Sequence, residues 1–155
     1  MTARLRYAKA APGVYQAMLG LEEYIKHCGL ETSLIRLIQT RASQINGCAF
    51  CLDMHTKDAR AEGESEQRLY LLPAWREAPF YSERERAALE WTEAVTLVAD
   101  SQVPDEVYER VKPHFTDEEL ANLTLAIANI NSWNRLNVAF RTPAGTYHPR
   151  RTADK

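Results

Sequence analysis

The chain has no long hydrophobic run, no sustained alternation of apolar and polar residues, no marked excess of either charge, and only six glycines and three cysteines in 155 residues. Each shortage removes a class of protein. No stretch approaches the roughly eighteen apolar residues of a membrane span, and the basic start Met-Thr-Ala-Arg-Leu-Arg is not followed by the apolar segment of a secretory leader. A membrane is therefore not an expected partner. The net charge of −2, with both signs interspersed, offers no phosphate-tracking surface, so nucleic acid is not expected either. An odd number of cysteines does not fit a secreted disulfide framework, and the expectation is a cytoplasmic protein. The length suits one domain, 1–155, able to bury a core without metal or disulfide staples.

What is present is helical periodicity almost throughout, so the expected fold is all-α. Val14, Met18, Leu21 and Ile25 form a stripe on a helix introduced by Pro12 and Gly13 and stopped by Gly29. Leu34, Ile38, Ala42 and Ile45 mark a second helix ending at Asn46-Gly47, and a third is expected from about Cys48 to Ala61. A short helical stretch around Gln67 to Leu72 precedes a proline-containing loop, Pro73 to Phe80. Ser82 with Glu85, and Thr116 with Glu119, have capping-box spacing. The first opens a long helix carrying Trp91, and the second opens the longest, about 117–140, with a short amphipathic helix from Pro104 to Val111 between them. The longest is apolar on most faces and is expected to be buried centrally or against another subunit. The tail, 142–155, with its prolines and charges, is expected to be irregular and to fray.

Within a redox core of about 31–62, the informative segment is Gln44-Ile-Asn-Gly-Cys-Ala-Phe-Cys-Leu-Asp-Met-His55. On a helix, Cys48 and Cys51 would have Cα atoms about 5 Å apart, within the separation that a disulfide spans. His55 stacks one turn beyond Cys51 but stands roughly 10 Å along the axis from Cys48. The imidazole can therefore serve only the second sulfur well. A thiolate at Cys51 attacking a peroxide would become a sulfenic acid, which Cys48 would condense into a disulfide. Cys51 is thus the expected peroxidatic residue and Cys48 the resolving one. Against this, Cys48 lies nearer the helix N-terminus, whose dipole favours a thiolate by about 0.3–1 kcal/mol, less than a well-placed base contributes.

Three other readings apply to the same residues. Small cysteines on an apolar helix can be simple core residues. A zinc site could take Cys48, Cys51 and His55 with His27 or Cys28, although structural Cys-x-x-Cys zinc ligands come from a turn and pair with a second couplet that is missing here. A thioredoxin-like role needs a strand before the motif, and no strand is expected.

The stretch from Arg41 to Arg60, including Asn-Gly-Cys-Ala-Phe-Cys-Leu-Asp-Met-His, closely resembles the core of the AhpD-like alkylhydroperoxidases of the carboxymuconolactone decarboxylase superfamily, and Leu123 to Phe140 resembles their long C-terminal helix. The resemblance implies an all-helical fold assembled as trimers or hexamers. It also implies a peroxidase that uses a hydroperoxide substrate and a thiol reductant, neither identified, with no metal or organic cofactor. It assigns the same roles to Cys51, Cys48 and His55. Two departures stand out. The family's glutamate twelve residues before the first cysteine, which starts a proton relay to the histidine, is here Arg36, which cannot accept a proton and is expected either to favour a nearby thiolate by its charge or to pair with a carboxylate such as Glu31 or Glu22. The histidine that some members carry between the cysteines is Phe50. Both predict a slow peroxidase, or a redox pair serving another disulfide. The alternatives are a lactone decarboxylase of the same superfamily and a redox sensor whose cysteines pair without turnover.

Elsewhere, Trp91 and Trp133 are expected in core or interface rather than as ligand platforms. Asn131, Asn134 and Arg135 are expected to make buried hydrogen bonds that fix helix packing. His27 reads as a helix C-terminal charge, Cys28 as a lone thiol, His114 and His148 as loop residues, and Glu62, Glu64 and Glu66 as a solvated turn.

Overall fold

The computed structural model describes residues 2–149. Its elements are α1 (Tyr7–Ala10), α2 (Pro12–Lys26), α3 (Thr32–Ile45), α4 (Ala49–Ala61), α5 (Glu66–Leu71), α6 (Glu83–Thr96), α7 (Val98–Ser101), α8 (Asp105–Val111) and α9 (Asp117–Phe140), with 3₁₀ turns at Leu72–Ala74 and Lys112–His114. No strand occurs among the described residues, and the fold is all-α. Both capping boxes form as their spacing predicts. Ser82 Oγ accepts from the Glu85 amide at 3.2 Å while the Glu85 carboxylate takes the Ser82 amide at 2.8 Å. Thr116 and Glu119 do the same at 3.1 and 2.8 Å.

Helix α3 is the centre of the bundle and packs against α4, α6 and α9. Its Leu34, Ile35 and Ile38 meet Ala88 and Trp91 of α6 and Leu123 and Ile127 of α9 in the main core. A smaller cluster joins Leu37 to Leu72, Trp75, Tyr81 and Leu89. Helix α2 starts at Pro12 as expected, and its apolar stripe is only partly covered by this packing. Only Ile25 of that helix is buried, while Val14 and Leu21 are 42% and 36% exposed. The face one residue round, Tyr15, Leu19 and Glu22, lines a cavity, although Tyr15 and Leu19 remain 37% and 38% exposed.

Helix α9 is buried along one side, but the buried line is less apolar than its composition suggests: Asn122, Asn129, Asn131, Asn134 and Asn137 all lie on it. The packing role expected of Asn131 and Asn134 is realised at the start of the redox segment. Asn46 Nδ2 donates to Asn131 Oδ1 at 3.0 Å and to Asn134 Oδ1 at 2.9 Å, and Asn134 Nδ2 donates to Ser43 Oγ at 3.1 Å. Arg135 donates back to Asn131.

The acidic cluster is not simply solvated. Glu62 pairs with Arg36, Glu64 with Arg68, and Glu66 with Arg60. The described part of the tail is irregular, as expected, yet it is tied down rather than frayed. The Gly145 amide donates to Asp53 at 3.0 Å, Tyr147 Oη donates to Asp58 at 2.6 Å, and Lys57 Nζ donates to the Tyr147 carbonyl at 3.0 Å. Residues 150–155, part of the same expectation, lie outside the described residues. No helix among the described residues is long and apolar enough to cross a membrane.

Candidate active site around the cysteine pair

Helix α3 ends in a turn that sets the first cysteine. Gly47 adopts a φ of +63°, the left-handed region open to a residue without Cβ. Its amide returns to the Gln44 carbonyl at 3.2 Å, and the next amide, that of Cys48, returns to Ser43 at 3.0 Å. These two bonds are the Schellman closure of a helix. Cys48 is therefore the last residue of one motif and the first of another. It is the N-cap of α4 rather than part of the helix, as the sequence reading had it, and its Sγ accepts from the Cys51 amide at 3.3 Å. The pair is joined as a disulfide with a Cα separation of 5.3 Å.

Cys51 is 1% exposed and forms part of the wall of a cavity of about 480 Å³. Cys48 is equally buried and is not among the lining residues. The cavity brings together side chains from the two ends of the chain: Tyr7, Tyr15 and Glu22, then Arg36, then Phe50, Met54, His55 and Asp58, and finally Trp133, Asn137, Thr142 and Tyr147. Trp133 thus belongs to the redox cavity, where periodicity alone suggested core or interface. Trp91 is buried in the main core as expected.

His55 lies one turn beyond Cys51 on α4 and is 3% exposed. Both of its ring nitrogens are buried without a hydrogen-bond partner among the described residues. Burial, and secondarily the positive charge of Arg36, push its pKa down to about 3, so the ring is neutral at any ordinary pH. Buried polar atoms left unpaired are uncommon and point to a strained or functional position.

Arg36 does pair with a carboxylate, though the partner is Glu62 rather than Glu31 or Glu22. Its Nε and Nη2 grip Glu62 at 2.9 and 2.8 Å, and Nη1 stands 3.9 Å from Asp58. The hydrogen bond to Glu62 is the main reason that its pKa is raised. Glu31 instead binds Arg84, and Glu22 accepts from Asn129 Nδ2 at 2.7 Å and Trp133 Nε1 at 2.8 Å. Glu22 brings a carboxylate to the cavity from α2, a residue the sequence reading did not single out as part of the site.

Asn137 was also missed. Its Nδ2 lies 3.6 Å from Cys51 Sγ and 3.0 Å from the Trp133 carbonyl, while its Oδ1 accepts from Tyr7 Oη at 3.3 Å. Nothing local in the sequence distinguishes it from the other asparagines of α9.

The other candidates stay apart. Cys28 is a free thiol packed at the edge of the main core, and His27 sits at the exposed end of α2 with Nδ1 on the Glu23 carbonyl. No group of three or more His, Cys, Asp or Glu side chains able to hold a metal is assembled among the described residues.

A family model described as carboxymuconolactone decarboxylase matches residues 12–94. The uncharacterized protein YdfG of Bacillus subtilis is 47% identical over 146 residues, covering 94% of this chain and 99% of YdfG. The crystal structure of ATU0492 from Agrobacterium tumefaciens, a protein of unknown function provisionally described as the antioxidant defence protein AhpD, superposes with a TM-score of 0.91 at 48% identity, over 94% of this chain and all of that one. The debrominase Bmp8 shares the fold alone, with a TM-score of 0.77 at 21% identity over 89% of this chain and 74% of Bmp8. By its family match and its near full-length likeness to YdfG and ATU0492, the chain belongs to the carboxymuconolactone decarboxylase family, as an AhpD-like member with a Cys48–Cys51 pair.

Proposed function

We propose that the protein is a thiol-dependent hydroperoxide reductase in which Cys51 attacks, Cys48 resolves and His55 moves the proton. The observation that carries this reading is that Cys51, and not its partner, lines a cavity large enough for a small organic hydroperoxide, with a neutral imidazole one turn away. The Cys51 thiol passes its proton to His55, directly or through a water, and the thiolate breaks the O–O bond, forming Cys51 sulfenic acid and an alkoxide. His55 returns the proton to the alkoxide, releasing an alcohol. Holding the proton would leave an imidazolium in a buried site beside Arg36, so the ring acts as a relay rather than a store. Cys48 thiol then displaces hydroxide from the sulfenic sulfur, closing the disulfide and releasing water. An external dithiol supplies the two electrons and two protons that reopen it.

The aromatic and aliphatic walls, Tyr15, Leu19, Phe50, Met54 and Trp133, support an organic hydroperoxide over hydrogen peroxide as substrate. The exposed Val14 and Leu21 of α2 and Val138 of α9 support the trimer or hexamer that the family resemblance implies. A monomeric mass in sedimentation at micromolar concentration would remove that part of the reading.

The deciding experiment mixes reduced protein with one equivalent of cumene hydroperoxide and follows both thiols by mass spectrometry, then measures turnover with a dithiol. Cys51→Ser is expected to lose at least a thousandfold in peroxide consumption, and Cys48→Ser to accumulate sulfenic acid at Cys51. Turnover that persists in Cys51→Ser, or oxidation that begins at Cys48, overturns the assignment. A single round of oxidation without cycling would instead favour the sensor. Lactone decarboxylation that survives replacement of both cysteines would favour the decarboxylase.

A further inference from the structure

Among the described residues, the sulfur of Cys51, here joined to Cys48, meets one hydrogen-bond donor from outside its own segment, and that donor is Asn137 Nδ2, 86 residues away in sequence, at 3.6 Å. The amide cannot be turned round. Its Nδ2 also faces the Trp133 carbonyl at 3.0 Å, which can only accept, and its Oδ1 faces the Tyr7 hydroxyl at 3.3 Å. Asn137 is 4% exposed, so its amide is largely shielded from bulk solvent.

The charged and titratable groups around the cavity leave Asn137 as the direct polar contact of Cys51 from α9. They are Tyr7 from α1, Tyr15 and Glu22 from α2, Arg36 from α3, His55 and Asp58 from α4, and Tyr147 from the tail. Glu22 is bound by Asn129 and Trp133, Asp58 by Tyr147, and Arg36 by Glu62. Burial, then the neighbouring Tyr15, raises the pKa of Tyr7, so its hydroxyl remains a donor to Asn137 Oδ1 at neutral pH.

We propose that Asn137 is a catalytic residue: its Nδ2–H donates to the Cys51 sulfur and, with Tyr7 and the Trp133 carbonyl holding its amide in place, stabilises that sulfur as a thiolate. The inference rests on the reading of Cys51 as the reacting sulfur. A neutral sulfur is a weak acceptor and a thiolate a strong one, so the contact strengthens as negative charge forms. The donor needs no proton transfer, which complements His55: one group carries the proton away, and the other holds the charge left behind.

The test measures the pKa of Cys51 in the reduced Cys48→Ser protein from thiolate absorbance at 240 nm against pH. Asn137→Leu, close in volume but without a donor, is expected to raise that pKa by about one unit or more, and to slow iodoacetamide alkylation at fixed pH by about tenfold. Tyr7→Phe is expected to shift it in the same direction by a smaller amount. If Asn137→Leu does not fold, Asn137→Ser carries the test, with a hydroxyl too short to reach the sulfur and the same upward shift expected. A folded Asn137 variant whose Cys51 pKa stays within about 0.2 of the parent overturns the proposal. Because this titration uses no peroxide, a protein that shows the shift but consumes no hydroperoxide would refute the proposed reaction while leaving the donor role standing. Peroxide turnover with no shift would do the reverse.

Discussion

Helix α9 has two halves that treat burial differently. The first half, through Leu120, Leu123, Ala126 and Ile127, packs aliphatic surface against α3 and α6. The second half turns Asn131, Asn134 and Asn137 toward the Asn46-Gly47 turn and the Cys51 sulfur. Apolar packing is non-directional and tolerates small shifts, whereas amide hydrogen bonds fix distance and angle. One half gives the bundle its stability, and the other sets the register between the redox helix and its surroundings.

A pair of truncations separates these contributions. Leu123→Ala removes a fully buried side chain and is expected to cost about 3 kcal/mol of stability in urea unfolding, with little change in the rate at which the Cys48–Cys51 disulfide closes. Asn134→Ala is expected to cost less, about 1–3 kcal/mol, because Asn46 Nδ2 and Ser43 Oγ each lose a partner, but to slow disulfide closure measurably. Equal effects of both variants on closure would erase the distinction between the two halves.

A smaller effect sharpens the contrast through pH. The His55 pKa is depressed in the folded protein, so below about 6.5 the unfolded chain binds a proton that the folded chain refuses. Above that pH the ring contributes no slope. As pH falls from 6.5 toward 5, stability should drop by up to about 1.4 kcal/mol per unit from this one group, before the carboxylates begin to titrate. Urea unfolding at pH 7 and pH 5 is expected to show this loss in the parent and much less of it in His55→Gln. An unchanged slope in His55→Gln would mean that the ring is not buried as placed.

Much of the frame was legible from local chemistry. Two capping boxes located the starts of α6 and α9 because a side chain three residues on must close the same turn. The cysteine spacing gave the disulfide because residues three apart stand within one helical turn. The stripe on α2 misled for a complementary reason. Val14 and Leu21 are apolar at helical spacing, but periodicity names a face without saying what covers it. For Arg36 a carboxylate partner such as Glu31 or Glu22 was expected, and the carboxylate it meets is Glu62, which caps α4.

The sequence by itself determined the all-helical architecture, the family and the sulfur pair with its neighbouring imidazole, since each depends on residues within a turn or two of one another. Only the tertiary structure decided which sulfur faces the cavity, that Glu22 and Trp133 share it, that Arg36 is bound to Glu62, and that one of many asparagines reaches Cys51. Those outcomes depend on how helices far apart in the chain cross and how deeply they pack. A 3.6-residue period carries no record of either.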